Sequence, residues 1–235
     1  VLAGRPRLLL LDEPLSALDV DSAPAIRGLL RRVLRTAGPE DGPRAGPDGG
    51  ARSAVLVTHD PLDALALADD VVVLSAGRIV ERGPVKEVLS APRTAFTARI
   101  AGLNLVAGTA EAGGLRTPDG TVVAGVPATD CEVGRPAVAV FSPGAVAVHP
   151  AGTPHTGSPR NVVDVRVGAL EPHGAVVRLR AEGGTGAMAG VAADLTPASV
   201  AELGLEPGTA VRLEVKAAAV TIHPVADSPP PAAET

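Results

Sequence analysis

Residues 8–19 read LLLLDEPLSALD: four leucines run without a break into two adjacent carboxylates, Asp12 and Glu13, and Pro14 closes the run. A continuous apolar run lacks the polar alternation of a half-exposed strand, so it predicts a parallel strand covered on both faces. Ligands of open α/β sheets bind beyond the carboxyl ends of such strands. A strand that ends in Asp therefore holds a carboxylate rigidly where a ligand sits. Neighbouring residues of an extended chain point to opposite sides, which allows Asp12 and Glu13 two separate roles. One can face a bound cation while the other orients or deprotonates a water. Taken alone, the same pair reads equally well as an exposed acidic turn after a core strand.

The α/β pattern continues to about residue 101. Ile26, Leu29, Leu30, Val33 and Leu34 recur at helical spacing and predict a helix over 22–36. Asp21 or Ser22 can cap it, and Pro24 falls in the first turn, where a missing N–H costs nothing. Arg27, Arg31 and Arg35 line the opposite side, as a solvated face would. The Gly/Pro-rich stretch 38–52 predicts a surface loop. SAVLVTHD (53–60) is a second buried-type strand, PLDALALA a short helix, and DDVVVLSAGRIVERG (69–83) a strand pair turning at Ala76-Gly77. PVKEVLSAP and TAFTARIAG add two short helices.

After residue 102 short Val-rich strands alternate with Gly and Pro turns, and PASVAELG (197–204) alone reads as helix. That texture predicts a small all-β, OB-like barrel. Two stretches, AVAVFSPGAVAVHP (137–150) and VRLEVKAAAVTIHP (211–224), align without gaps and raise the question of an internal duplication. His149 and His223 end equivalent strands in that echo and read as structural. With His155 and His173 they show no metal-ligand spacing. The expected organisation is an α/β part (1–101), a β-rich connecting segment or first barrel part (102–157), a barrel (158–226) and a disordered tail (227–235).

Composition narrows the functions. The net charge is −5 and Phe96 and Phe141 are the only aromatic residues, so neither a basic footprint nor a base-stacking platform for nucleic acid is present. The single Cys131 rules out an internal disulfide and a Cys-based zinc site, and fits a reducing compartment. No apolar run reaches the ~18–20 residues of a membrane span, and no signal-peptide pattern opens the chain.

Three motifs in order carry a family resemblance: the strand LLLLDE, the SALD that follows it, and VTHD at the end of the second strand. This arrangement resembles the ATP-binding-cassette (ABC) ATPases over residues 1–101, a RecA-like P-loop fold. The resemblance implies Asp12 as the Mg²⁺-associated carboxylate, held through water, and Glu13 as the catalytic base. It implies Asp19 as the residue that communicates across an ATP-sandwiched homodimer, and His59 as the contact to the γ-phosphate. The pattern G-x-x-x-x-G-K-[ST], the family's glutamine loop and its LSGGQ signature are absent from these residues. The chain thus reads as the C-terminal portion of a longer ATPase, inactive by itself.

Residues 158–220 resemble the Mop/TOBE domain of ABC importer ATPases, most closely in Ser158-Pro159-Arg160-Asn161, in LTPASVAELGLEPG (195–208) and in Val215-Lys216-Ala217. Ser158, Arg160, Asn161 and Lys216 are the implied oxyanion ligands, although Ala218 stands where molybdate binders tend to carry Ser or Thr. The implied protein is a molybdate-type importer subunit using ATP and Mg²⁺ on the cytoplasmic face of the membrane. Its partners would be transmembrane permease subunits and, indirectly, an extracellular solute-binding protein. Two alternatives stand beside it: a non-enzymatic oxyanion-binding module, and a non-transport ABC ATPase, against which the Mop-like part argues.

Overall fold

A computed structural model describes residues 8–19, 22–35, 53–182 and 190–225; the predicted loop at 38–52 and the tail at 227–235 lie outside them. The first part runs β1 (Leu8–Asp12), α1 (Ala23–Arg35), β2 (Ser53–Val57) and α2 (Pro61–Leu67). β3 (Asp70–Ser75) and β4 (Arg78–Pro84) follow, then α3 (Val85–Ser90) and α4 (Ala95–Ile100). β1 and β2 are parallel, with Leu8 opposite Ser53 and Asp12 opposite Val57. β3 and β4 form an antiparallel hairpin whose two-residue turn, Ala76 and Gly77, takes positive φ at both positions. That handedness matches the twist of the flanking strands.

One sequence expectation for this part needs correction. β1 is covered on one face, not two: Leu9 is 4% exposed, while Leu8 and Leu10 are 53% and 69% exposed, because no other described element packs on their side. Of the two capping residues read from the sequence, Asp21 lies outside the described residues, and Ser22 gives the first helical carbonyl, which accepts the Ile26 N–H at 3.2 Å. The first turn is also held by Asp19. Its carboxylate accepts the Ser22 N–H at 2.7 Å and its carbonyl accepts that of Ala23 at 3.1 Å, which satisfies two of the donors that a helix start leaves unpaired.

The second part is built of β5 (Asn104–Glu111), β6 (Gly114–Arg116), β7 (Val122–Ala124), β8 (Val126–Pro127), β9 (Pro136–Phe141) and β10 (Ala147–Pro150). It continues with β11 (Asn161–His173), β12 (Val176–Glu182), β13 (Ala192–Leu195), α5 (Pro197–Glu202), β14 (Ala210–Val215) and β15 (Thr221–Pro224). Among the described residues these make a six-stranded sheet, β7-β6-β5-β9-β15-β8, and a five-stranded one, β10-β14-β11-β12-β13. Apart from β8, the second order is the first with its members replaced in sequence. β5, β6, β7, β9 and β10 correspond to β11, β12, β13, β14 and β15, and each set gives its last strand to the other's sheet. β10 pairs with β14 and β15 with β9, both antiparallel. The echo seen in the sequence is therefore also an echo of topology, and segments 102–157 and 158–226 exchange strands across their common boundary.

One apolar cluster unites the two sheets, from Val106, Leu115 and Phe141 on one side to Val167, Leu179 and Leu213 on the other. With almost no aromatics, the interior is filled by Val, Ala and Leu, and small branched side chains suit closely spaced sheets. Two buried asparagines stitch the repeats. Asn104, at the start of β5, donates to the Ala192 carbonyl at 2.9 Å and accepts the Ala192 N–H at 2.7 Å. Asn161, at the start of β11, makes the same pair with Ala124 at 2.9 and 2.7 Å. No helix among the described residues is long and apolar enough to cross a membrane.

Each asparagine satisfies a backbone donor and acceptor away from water. Asn104→Ala and Asn161→Ala should each lower unfolding free energy by about 1–3 kcal/mol, the cost of stranding buried polar groups. Urea titration followed by circular dichroism checks this; a loss no larger than that of an exposed Asn→Ala change would refute the stitching role.

Candidate functional site

The parallel register of β1 and β2 brings both carboxyl ends to one edge. The ladder runs one residue beyond β1, where the Glu13 N–H donates to the Val57 carbonyl at 2.9 Å. Glu13 then turns into the left-handed region, φ 44°, a conformation that costs a residue with a side chain about 1–3 kcal/mol and persists only where its surroundings impose it. Here they do. The Glu13 carbonyl accepts from the Ser16 N–H at 3.2 Å and from Ser16 Oγ at 2.9 Å, and Leu15 is buried beneath the turn.

His59 sits two residues past the end of β2. Its turn is shaped by Thr58 and Asp60: Thr58 Oγ1 accepts the Asp60 N–H at 3.1 Å, and Asp60 Oδ1 caps α2 by accepting the Leu62 N–H at 2.8 Å. The two turns meet where His59 Nδ1 lies 2.8 Å from Glu13 Oε1. The imidazole is open to solvent, 80% exposed, and the carboxylate one-third so. The hydrogen bond and the charge of Glu13 raise the His59 pKa above its ordinary 6.5; slight burial opposes this, and Asp60 and Asp63 add to it.

Asp12 stands exposed at the end of β1, beside this pair. It fits a magnesium ion in one respect, since a single exposed carboxylate suits a strongly hydrated cation held through water. No group of three or more His, Cys, Asp or Glu side chains able to hold a metal occurs among the described residues. Asp19 helps to hold the first turn of α1, set apart from the Glu13–His59 contact by the intervening turn.

Sequence reasoning missed the residues behind His59. Arg27, expected on a solvated face, instead reaches α2: its Nε donates to Asp63 Oδ1 at 2.8 Å, and its terminal nitrogen lies 3.5 Å from Asp60 Oδ2. Asp63 is 3% exposed and also faces the Thr58 hydroxyl at 3.5 Å. Arg31 does stay exposed; the side chain of Arg35 lies outside the described residues. One signal was available, because Asp63 is the lone charge in the otherwise apolar PLDALAL, and a lone acid in such a helix asks for a buried partner.

Of the four oxyanion candidates, Ser158, Arg160 and Lys216 are exposed. Asn161 pairs across the strands with Val215, which places Arg160 and Lys216 at one end of the β11–β14 ladder. Both polar atoms of the Asn161 amide, however, are taken by Ala124. His149 and His155 flank the nearly buried Glu214, with His155 Nδ1 3.1 Å from Glu214 Oε1 and His149 Nε2 3.8 Å from Oε2. Their spacing in sequence did not reveal this. His223 is half-buried; burial, then the charge of Arg93, lowers its pKa, and Asp130 partly offsets them.

The raised His59 pKa fixes a sign. The Glu13–His59 attraction contributes fully below pH 6.5, the ordinary value, and is lost as pH rises through the higher folded-state value. An NMR titration should place the His59 pKa above 6.5, and Glu13→Gln should return it toward 6.5. A value unchanged by that substitution would show that the contact does not form in solution.

The TOBE domain model matches residues 157–222. The molybdenum import ATP-binding protein ModC of Mycobacterium tuberculosis H37Rv is 46% identical over 224 residues, 95% of this chain and 57% of that protein. The sulfate/thiosulfate import ATP-binding protein CysA 2 of Chromobacterium violaceum is 32% identical over 95% of this chain and 56% of its own length. The molybdate/tungstate import ATP-binding protein WtpC of Pyrococcus horikoshii is 30% identical over 95% and 58%. The chain thus spans a little over half the length of these relatives. The Glu13–His59 pair, the β-rich second part and these similarities have one conclusion in common: the chain belongs to the family of ABC importer ATP-binding subunits that carry a TOBE domain.

Proposed function

We propose that this chain is part of the ATP-hydrolysing subunit of an importer for molybdate or a related oxyanion. The observation that carries the reading is the 2.8 Å approach of His59 to Glu13 at the paired strand ends, on a chain 46% identical to a molybdenum import ATP-binding protein. Glu13 is the base that draws a proton from the attacking water. His59 holds Glu13 and, from its exposed position, faces the terminal phosphate. Asp12 is the residue that would hold Mg²⁺ through water; the ion, when bound, neutralises phosphate charge. Asp19 acts across a homodimer of ATPase subunits. ATP binding and hydrolysis drive transmembrane permease subunits from the cytoplasmic face, and an extracellular binding protein delivers the solute to them.

These 235 residues contain no phosphate loop, so the chain alone grips no triphosphate and turns none over. Fused to the remaining length of a ModC-type relative, it should hydrolyse ATP. Glu13→Gln should then cut kcat by about 10²–10⁴-fold, the range for loss of a general base, with ATP binding retained. Turnover indifferent to Glu13 in that fusion, or Glu13-dependent turnover by the unfused chain, overturns the reading.

A second reading, an oxyanion-responsive module, draws on the exposed Arg160 and Lys216 at one ladder end, with Ser158 two residues before Arg160 in the chain. Such groups supply the hydroxyl and positive charges that a tetrahedral oxyanion needs. Calorimetric titration of molybdate or tungstate into the chain should give binding that Lys216→Ala weakens. Absence of heat at micromolar concentrations removes this reading and leaves the barrel a contact domain.

A further inference from the structure

We propose that Arg27 is the positioning residue of this site: from α1 it fixes the Thr58–Asp60 turn so that His59 stays within reach of Glu13. The inference rests on the reading that His59 and Glu13 work as a pair, and goes beyond it by naming what aligns them. His59 itself is no anchor. Its ring is 80% exposed, and Glu13 is its one described hydrogen-bond partner. The order in this turn comes from behind it. The Arg27 guanidinium spans Asp63 of α2 and the α2 cap Asp60, at 2.8 Å and 3.5 Å. Asp63 is almost wholly buried, so its charge demands a partner in place. Asp60 is the residue next to His59, and it is held a second time through Thr58 Oγ1.

The other end of the strut is equally defined. Asp19 helps to hold the first turn of α1, and the Asp19 turn leads directly from the Glu13–Ser16 turn. α1 is therefore tied at its start to the segment that carries Glu13, and at Arg27 to the segment that carries His59. A planar, forked guanidinium can engage two acids at once; an ammonium on a flexible stem cannot fix the same geometry. The charged groups that face His59 are Glu13 from the β1 end, the α2 cap Asp60, and Asp63 from α2.

The test uses the sign of a titration. Removing a cation near His59 raises its pKa if Arg27 acts only through space. If Arg27 positions the ring, its loss lets His59 drift from Glu13, and the pKa falls toward 6.5. His59 is titrated by NMR in the 235-residue chain without nucleotide, as wild type, Arg27→Gln and Arg27→Lys. We expect Arg27→Gln to lower the pKa toward 6.5 and Arg27→Lys to give an intermediate value. Combining Glu13→Gln with Arg27→Gln should lower it no further than Glu13→Gln alone. Should Arg27→Gln unfold the first part, seen as lost helix ellipticity, Arg27→Lys, which keeps the charge, decides. A His59 pKa at or above the wild-type value in whichever variant is folded overturns the proposal. No nucleotide enters this titration, so a fusion protein that failed to hydrolyse ATP would count against the ATPase reading and leave this result standing.

Discussion

The register between β1 and β2 is the constraint on which the first half of the molecule depends. Opposing Asp12 to Val57 places the turn after each strand at one edge, and a slip of one residue would send Glu13 and His59 to opposite faces. Hydrogen bonding in the parallel ladder sets this register, continued by Glu13 N–H onto Val57. Everything chemically notable in this half lies within a few residues of that edge: the left-handed Glu13, the Thr58–Asp60 turn, and the two helices that Arg27 and Asp63 lock together.

Much of this was legible in the sequence. The helix expected over 22–36 occupies Ala23–Arg35, and the hairpin turn falls at Ala76-Gly77 as read. Periodicity and turn chemistry are local signals, and these elements obey them. The meeting of Glu13 and His59, separated by 46 positions, was legible only through motif order, because no local pattern encodes a contact at that distance. Arg27 was misjudged for a related reason. Helical periodicity divides residues into apolar and polar faces, yet a polar face can be turned inward when another element brings it an opposite charge. Coverage of β1 was misjudged too: a run of leucines reports capacity for burial on two faces, while the described elements supply packing on one.

In the β half the reading of strands and barrel held, whereas the pairing of strands could not be read. Val-rich strands of similar length carry little register information, and nothing in the echo of 137–150 and 211–224 says that each copy lends its last strand to the other. Asn161, read from the sequence as an oxyanion ligand within Ser158-Pro159-Arg160-Asn161, also has an architectural role. Its amide pairs with Ala124 just as that of Asn104 pairs with Ala192. The repeated use of one residue type for one backbone stitch is a stronger statement about architecture than about recognition.

The traded strands also bear on how the protein is made. β9 is buried along almost its whole length between β5, available early, and β15, the last described strand. During synthesis the ribosome delivers β9 some eighty residues before its second neighbour exists. Until then a run of Val, Ala and Phe has one open edge, the condition under which nascent chains recruit chaperones or pair with the wrong strand. The barrel can therefore close only once translation has passed Pro224, and a messenger cut short of that point would yield an adhesive half-sheet instead of a smaller domain.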